Sequence, residues 1–398
     1  MPLQVPLFQA WQDLAWPIAV LVAWVAGEYG HRWMRLPRIS AYAVSGFVFA
    51  LPAVGVLPSV APEAIRLLAS IAFGLVLFEV GYRTNLSWLR ANPWLLVTGV
   101  VEATLTAAVV YLACGAAGMD LASRQVVAAL AMASSPAAML RVVHDRRASG
   151  QVTERALHLS VIDCLLAVFA FKVVIGLQQA TSVESVRHLA GAAARDLAAS
   201  GALGVLAGIT VPVFLRSIAR TRDEGTMAFA LAVSVVVGLA HATGLSAVLA
   251  TLAFGVVARR RRTVLNAQRR GFGSLGQLLS VLLFVYVASA LQWSEIAAGA
   301  ALGILLVFLR LVAKTAATAA FAIPSGISWR KGAWTGIAMA PLSVFVILVL
   351  EQSRVDGIDL IELAAPLAAA ALVLEVLGPI LVGVALRAAR EVPDLQED

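Results

Sequence analysis

Charged residues are scarce in this chain of 398 residues, since Asp, Glu, Lys and Arg together make up 13% of it. A soluble globular domain carries about 25% charged residues. Cysteine is rarer still, with only Cys114 and Cys164, and the five histidines are scattered. These counts exclude a disulfide scaffold and a Cys/His zinc site. With a mean hydropathy of +0.88, the chain cannot cover itself with polar surface in water, which excludes a cytosolic enzyme and a disordered chain.

Long apolar runs are what the sequence has in abundance. A transmembrane helix needs about 20 mostly apolar residues. Thirteen such runs start near Trp11, Ile39, Ala64, Pro93, Ala122, Ala156, Asp196, Thr226, Leu245, Phe272, Ile296, Gly332 and Ile361. The sequence therefore predicts an all-α integral membrane protein with about 13 transmembrane helices.

The basic residues predict how those helices are oriented. With the N-terminus placed outside, 22 of the 30 basic residues fall on the inside, five fall outside, and Lys172, Arg310 and Lys314 fall within the membrane. Positive charge favours the cytoplasmic side of short loops. We therefore expect an outer N-terminus and a cytoplasmic C-terminus. The net charge of +7 then reflects topology, and no nucleic-acid partner is expected.

The chain also repeats itself at an offset of about 206 residues. Ile39-Ser40-Ala41 returns as Leu245-Ser246-Ala247, and Pro136 returns as Pro341. The offset spans seven helices, an odd number, so the second copy is inverted, as in many secondary transporters. We predict one membrane domain over residues 1–388, followed by a short cytoplasmic tail. The predicted segments are a first six-helix repeat over 11–180, a linker helix over 196–218, a second repeat over 226–388, and a tail over 389–398.

Two prolines interrupt matching helices of the two repeats. Pro136 follows Ser134 and Ser135 in helix 5, and Pro341 occupies the equivalent place in helix 12. Proline removes a backbone donor and disfavours the helical conformation before it. At membrane depth the freed backbone groups are tolerated only where protein or a water-lined cavity satisfies them. Paired interruptions of this kind predict a transport site, with simple helix kinks as the alternative.

Several ionisable residues lie inside the apolar runs, where charge is costly and therefore functional or paired. Asp163 lies about 10 Å into helix 6, and Lys314 and Arg310 share one face of helix 11. Lys314 can lose its proton when desolvated, whereas Arg310 stays charged. Glu102 and Glu375 could each be a second carboxylate or the structural partner of a buried base. We expect Lys172 to reach the outer surface and Glu79 to be solvated.

An ordered set of short motifs resembles the monovalent cation/proton antiporters, the sodium/hydrogen exchanger family in its bacterial thirteen-helix form. The set consists of Leu36–Tyr42 with Gly46, Gly74–Phe78 with Gly81, Ser134–Pro136, Gly244–Ser246 with Phe254-Gly255, and the basic pair of helix 11. It covers about residues 18–386. The resemblance implies a homodimer in which a mobile core domain moves against a fixed domain.

Helix 6 departs from the family pattern. Family members carry Asp-Asp or Asn/Gln-Asp there, and the second position carries the ion. Aligning Ile162-Asp163 with that pair makes Asp163 the ion carrier. Aligning by Ala167 instead puts Cys164 at the ion position and Asp163 opposite the helix-11 lysine. A thiol is a poor ligand for Na⁺ or K⁺, which prefer hard oxygen ligands. Pro341-Leu342-Ser343 also lacks the glycine–glutamate pair of many members.

These patterns lead to one functional prediction and two alternatives. We expect a secondary transporter, not an enzyme, that exchanges Na⁺ or K⁺ for protons across the bacterial inner membrane, with no cofactor. The cation would displace Lys314 from Asp163, and Lys314 would release its proton. Ser134, Ser135 and Cys164 would complete the ion site, supported by Arg310, Glu102, Glu375, Pro136 and Pro341. The alternatives are an organic-solute transporter on the same fold and a degenerate, non-transporting family member.

Overall fold

The computed structural model describes residues 7–34, 36–58, 61–179, 183–218, 222–260, 272–355 and 360–393. Over these residues the chain is helical and contains no β-strand. The helices are α1 (Leu7–Met34), α2 (Arg38–Ala50), α3 (Glu63–Arg83), α4 (Leu86–Ala91), α5 (Pro93–Ala116), α6 (Leu121–Ala131), α7 (Pro136–Arg146), α8 (Gln151–Gln179), α9 (Val183–Ile218), α10 (Arg222–Ala242), α11 (Ala247–Arg260), α12 (Gly273–Ser289), α13 (Trp293–Ala320), α14 (Trp329–Ala338), α15 (Val344–Val355) and α16 (Leu360–Ala388).

Seven of the described helices are long and apolar enough to cross a membrane, which confirms an integral membrane protein. If α6/α7 and α14/α15 are each counted as one broken helix and the six-residue α4 is left out, the helices follow the predicted segments in order. The number of crossings stays a prediction. One helix differs clearly, because α9 begins at Val183 and not near Asp196. The backbone is helical over residues that precede the apolar run, so the run by itself placed the start of this helix too late.

The helices pack as two bundles. The site bundle consists of α5, α6, α7, α8, α13, α14, α15 and α16, and the flanking bundle consists of α1, α2, α3, α10, α11 and α12, with α9 alongside α11. In the flanking bundle α3 and α11 cross at glycines: a Cβ on Gly255 would collide with backbone atoms of Phe78, Gly81 and Tyr82. Small residues let helices approach closely in a bilayer, where packing holds helices together. The bundles meet where α2 packs on α16 and α3 packs on α7.

Local signals explain where the site helices begin. Asp120 caps α6, since its carboxylate accepts a hydrogen bond from the backbone N–H of Ser123 at 3.1 Å. The hydrogen bonds from Ser123 lower the pKa of Asp120. Helix α7 begins at Pro136, whose missing N–H costs nothing in the first turn. Side-chain caps of this kind typically contribute about 1 kcal/mol to helix stability.

The segment that follows α16 folds back onto the start of α8. The Glu391 carboxylate is 7% exposed and accepts the backbone N–H groups of Val152 and Thr153, both at 2.8 Å. It thereby satisfies donors that a helix start leaves without intrahelical partners. Glu391 lies inside the predicted tail, of which residues 394–398 lie outside the described residues. The first residues of that tail therefore help to hold the helix that carries Asp163.

Candidate functional site

The two broken helices cross each other at their breaks. The backbone N–H of Ser135 donates to the carbonyl oxygen of Pro341 at 2.9 Å, and Ser134 pairs with Leu342 in an isolated antiparallel bridge. Each break thus satisfies backbone groups that the other break frees, as burial in an apolar medium requires. The sequence located both breaks through their prolines, and only the structure shows that they touch.

Hydroxyl groups cap the helices that start after the breaks. The Ser135 side chain accepts the N–H of Ala138 at 3.2 Å, and the Ser343 side chain accepts the N–H of Phe345 at 3.3 Å. The Ser134 hydroxyl instead donates to Asp163 Oδ2 at 2.7 Å, and it also lies 3.1 Å from the carbonyl oxygen of Met339. Of the two predicted serines, Ser134 therefore contacts Asp163, whereas Ser135 caps α7.

Arg310 neutralises the carbonyl ends of the two helices that stop at the breaks. Its guanidinium donates to the carbonyl oxygens of Ala131, Ala133 and Ala340, at 2.7, 2.5 and 2.5 Å. Ala131 is the last residue of α6, Ala133 follows α6, and Ala340 follows α14. Because a helix C-terminus carries about half a negative charge, a cation is stabilised there. Arg310 is 3% exposed, and we interpret its charge as balanced by the two helix ends.

Lys314 joins two carboxylates one turn further along α13. Its ammonium donates to Asp163 Oδ2 at 2.9 Å and to the carbonyl oxygen of Met132 at 3.1 Å. It forms a third hydrogen bond and ion pair with Glu102 Oε1. The side chains of Lys314, Glu102 and Asp163 are all 0% exposed. We call these three residues the charge triad.

Cys164 faces the crossing of the breaks and not the charge triad. Its Sγ donates to the carbonyl oxygen of Ser134 at 3.2 Å and lies 3.3 Å from the Ser343 hydroxyl. Asp163 is the residue that pairs with the lysine. The sequence left two alignments with the family pattern open. This geometry agrees with the alignment that is anchored at Ala167, in which Cys164 occupies the second position of the helix-6 pair.

Glu375 does not join the charge triad. It is 3% exposed on α16, and its Oε1 atom has no hydrogen-bond partner among the described residues. Helix α16 nevertheless packs on the break between α14 and α15, since a Cβ on Gly378 would lie 2.9 Å from Pro341 Cα. Glu375 therefore sits on a helix that supports the site, and its expected role as a supporting residue stays a prediction.

Two charged residues outside the site bundle core have partners that the sequence did not show. The sequence predicts that Glu79 is solvated, which is wrong: it is 8% exposed, forms an ion pair with Arg83 at 3.3 Å, and lies 3.2 Å from His144 Nε2. Lys172 pairs with Asp196 of α9 at 3.2 Å. The contact of Glu79 with His144 joins α3 and α7, which are distant in the chain, and the sequence carries no local signal for it. The Lys172 side chain is 26% exposed beside the half-exposed Asp196, and its expected reach to the outer surface stays a prediction.

A cavity of about 820 Å³ leads toward the charge triad from one side of the molecule. Its walls come from α3, α8, α10, α11 and α15, and it reaches Val168 and Phe345. Val168 lies about 8 Å beyond Asp163 along α8 at the helical rise. On the opposite side, α7 is tied to the flanking bundle, because Asp145 pairs with Arg38 at 3.4 Å and His144 pairs with Glu79.

The crossed breaks and the buried charges beneath a one-sided cavity define a membrane transport protein with broken helices. The family model for the transmembrane region of sodium/hydrogen exchangers matches residues 18–388, and the chain therefore belongs to the sodium/hydrogen exchanger family.

Two solved structures of the sodium proton antiporter MjNhaP1 from Methanocaldococcus jannaschii share its fold. One has a TM-score of 0.67 at 13% identity, with 94% of each chain covered. The other has a TM-score of 0.71 at 15% identity, with 98% of this chain and 96% of that chain covered. No curated protein sequence matches the chain.

Proposed function

We propose that the protein is a secondary transporter that exchanges a monovalent cation, Na⁺ or K⁺, for protons by alternating access. The observation that carries the proposal is the contact of Asp163 with both Lys314 and Ser134 beside the crossed breaks. A buried carboxylate needs a proton, a cation or a basic partner. Proton and cation then compete for the same buried negative charge, and this competition couples their movements in opposite directions.

The donor atoms around Asp163 suit an alkali cation. Carboxylate, hydroxyl and backbone carbonyl oxygens are hard ligands, and the site offers them from Asp163, Ser134 and the unwound carbonyls of the breaks. Asp163 Oδ1 is buried and has no hydrogen-bond partner among the described residues. Cys164 contributes no oxygen and contacts Ser134 and Ser343 instead. We propose that Asp163 takes the role of ion carrier.

The uneven access to the site supports alternating access. The cavity of about 820 Å³ lies on one side, and polar contacts between α7 and the flanking bundle, Asp145 with Arg38 and His144 with Glu79, lie on the other side. Movement of the site bundle against the flanking bundle would close the cavity and separate the contacts between α7 and the flanking bundle. We propose that the cavity side is the outside, which follows from an outer N-terminus, and that the protein acts as a homodimer in a bacterial inner membrane.

Proton flux in everted membrane vesicles tests this function directly. A pH-sensitive dye should report proton movement when Na⁺ or K⁺ is added to wild-type vesicles. Asp163→Asn should abolish the response. Asp196→Asn is the matched control, because Asp196 also pairs with a lysine but lies outside the site, and it should retain the response.

Two results would contradict the proposal. A flux in Asp163→Asn equal to wild type would remove Asp163 from the mechanism. A folded wild-type protein without any cation-dependent flux would favour the non-transporting alternative, or the organic-solute transporter if organic solutes restore proton flux.

A further inference from the structure

We propose that the exchanged proton is carried by the Glu102–Asp163 carboxyl pair, and that Lys314 stays charged throughout the cycle. This inference rests on the proposed exchange function and specifies where its proton resides. It differs from the expectation that Lys314 itself releases the proton. Four observations at the charge triad support it.

The first observation is that Lys314 is saturated as an ammonium. An ammonium group has three N–H donors and no acceptor. All three have acceptors here: Glu102 Oε1, the Met132 carbonyl oxygen and Asp163 Oδ2. A neutral amine would leave one of these buried acceptors without a donor and would leave two carboxylates without a counter-charge. Both changes are costly in a dry site.

The second observation is the charge count. Glu102 and Asp163 both contact the Lys314 ammonium, so the two carboxyl groups lie beside each other around one nitrogen atom. Two carboxylates against one ammonium leave one negative charge in a triad that is 0% exposed. An uncompensated buried charge is expensive, so the triad requires one further positive charge. One proton or one monovalent cation supplies that charge equally well, which is the condition for one-for-one exchange.

The third observation is that Arg310 does not provide the missing charge. Its guanidinium is directed at the carbonyls of Ala131, Ala133 and Ala340, where two helix C-termini together carry about one negative charge. The helix starts at the breaks are capped by Ser135 and Ser343. No carboxylate of the triad accepts a hydrogen bond from their backbone N–H groups within the described part of the chain.

The fourth observation concerns the two carboxyl oxygens that do not bond to Lys314. Glu102 Oε2 and Asp163 Oδ1 are buried, and neither has a hydrogen-bond partner among the described residues. Either oxygen can therefore hold a proton as an O–H bond while Lys314 keeps its contacts with the other oxygen of each carboxyl group. When a cation enters, that O–H bond breaks and the proton passes to water on the accessible side. The triad has the same total charge before and after.

Infrared difference spectroscopy and flux measurements on the full-length protein test the proposal. Adding Na⁺ to reconstituted wild-type protein should remove a protonated-carboxyl band, and the Glu102→Gln variant should lack that band and lose Na⁺-dependent proton flux. The matched control is Asp196→Asn, which also removes a carboxyl group that pairs with a lysine but lies outside the triad, and it should keep both signals. If Glu102→Gln does not fold, the wild-type spectrum alone decides.

The opposite result is equally clear. If Lys314 releases the proton, Na⁺ drives flux in wild type without changing any carboxyl band, and Glu102→Gln still exchanges because the Asp163–Lys314 pair remains. Either finding overturns the inference while leaving the exchange function intact. If wild type shows neither Na⁺- or K⁺-dependent flux nor a spectral response, the exchange function itself is wrong, and the inference is wrong with it.

Discussion

Lys314 and Arg310 lie one helical turn apart on α13 and have different kinds of partners. Lys314 contacts two carboxylates and one carbonyl oxygen, whereas Arg310 contacts three carbonyl oxygens. The planar, multi-donor guanidinium suits several fixed acceptors at once, and the compact ammonium suits a small cluster of charge. The two bases are therefore not interchangeable, although the sequence presents them as one basic pair.

Replacing Arg310 with alanine should destabilise the protein strongly. Arg310→Ala leaves three buried carbonyl groups without donors, and each such group costs about 1–3 kcal/mol. We expect a loss of about 3 kcal/mol or more in unfolding free energy, seen as a lower thermal midpoint of the detergent-solubilised protein. The control is Arg90→Ala, at an exposed position of α4, which should leave the midpoint unchanged. An unchanged midpoint for Arg310→Ala would show that the breaks do not depend on this side chain.

At the scale of helices, the breaks and the glycine crossings serve different purposes. Pro136 and Pro341 lie at the two breaks inside the site bundle. Arg310 and the opposite break satisfy the backbone groups that the breaks free. Gly81 and Gly255 let two continuous helices, α3 and α11, pack with their backbones in contact. The first arrangement creates a polar site among apolar helices, and the second packs α3 and α11 closely within the flanking bundle.

Gly255→Ala should weaken the α3–α11 crossing. The added Cβ would collide with backbone atoms of Phe78 and Tyr82, which cannot rotate away as a side chain can. We expect a destabilisation of about 1–3 kcal/mol, measured as a lower thermal midpoint. Gly238→Ala is the matched control, because nothing lies within 4 Å of its added Cβ on α10. Alanine should be neutral there or stabilise the helix by about 0.5–1 kcal/mol. Equal midpoints for the two variants would contradict the close approach.

At the scale of the whole molecule, a large cavity leads toward the charge triad from one side. The cavity borders Ser70, Lys172 and His241. On the other side, the pocket beside Glu79 and His144 has a volume of only about 30 Å³. Under the proposed outer N-terminus the large cavity faces the outside, and we interpret the structure as outward-facing. The described conformation thus corresponds to one half of the proposed transport cycle.

Thiol labelling tests that orientation. Both native cysteines are buried, so an introduced cysteine is the main target. Ser70→Cys, in the cavity wall, should react with a membrane-impermeant maleimide in intact cells. Ser280→Cys, in the small pocket on the opposite side, should not react. Labelling of Ser70→Cys only in everted vesicles would reverse the assigned orientation while leaving the shape of the cavity unchanged.

The sequence by itself determined the features that depend on local chemistry. Apolar run length indicated a membrane protein, prolines located the two breaks, and the cost of charge in a bilayer singled out Asp163, Lys314 and Arg310. An ordered set of short motifs was enough to identify the family, although the chain is only 13–15% identical to the solved structures that share its fold.

Only the tertiary structure decided which of these residues meet. Glu102 and Glu375 look alike in sequence, as single glutamates in the middle of apolar helices, yet Glu102 contacts Lys314 and Glu375 does not join the charge triad. Cys164 and Asp163 are neighbours in the chain, yet Cys164 faces the crossing of the breaks and Asp163 contacts Lys314. The physical reason is that partner choice depends on how each helix is rotated about its axis and packed against helices distant in the chain. In uniformly apolar helices, the local sequence contains little information about that rotation.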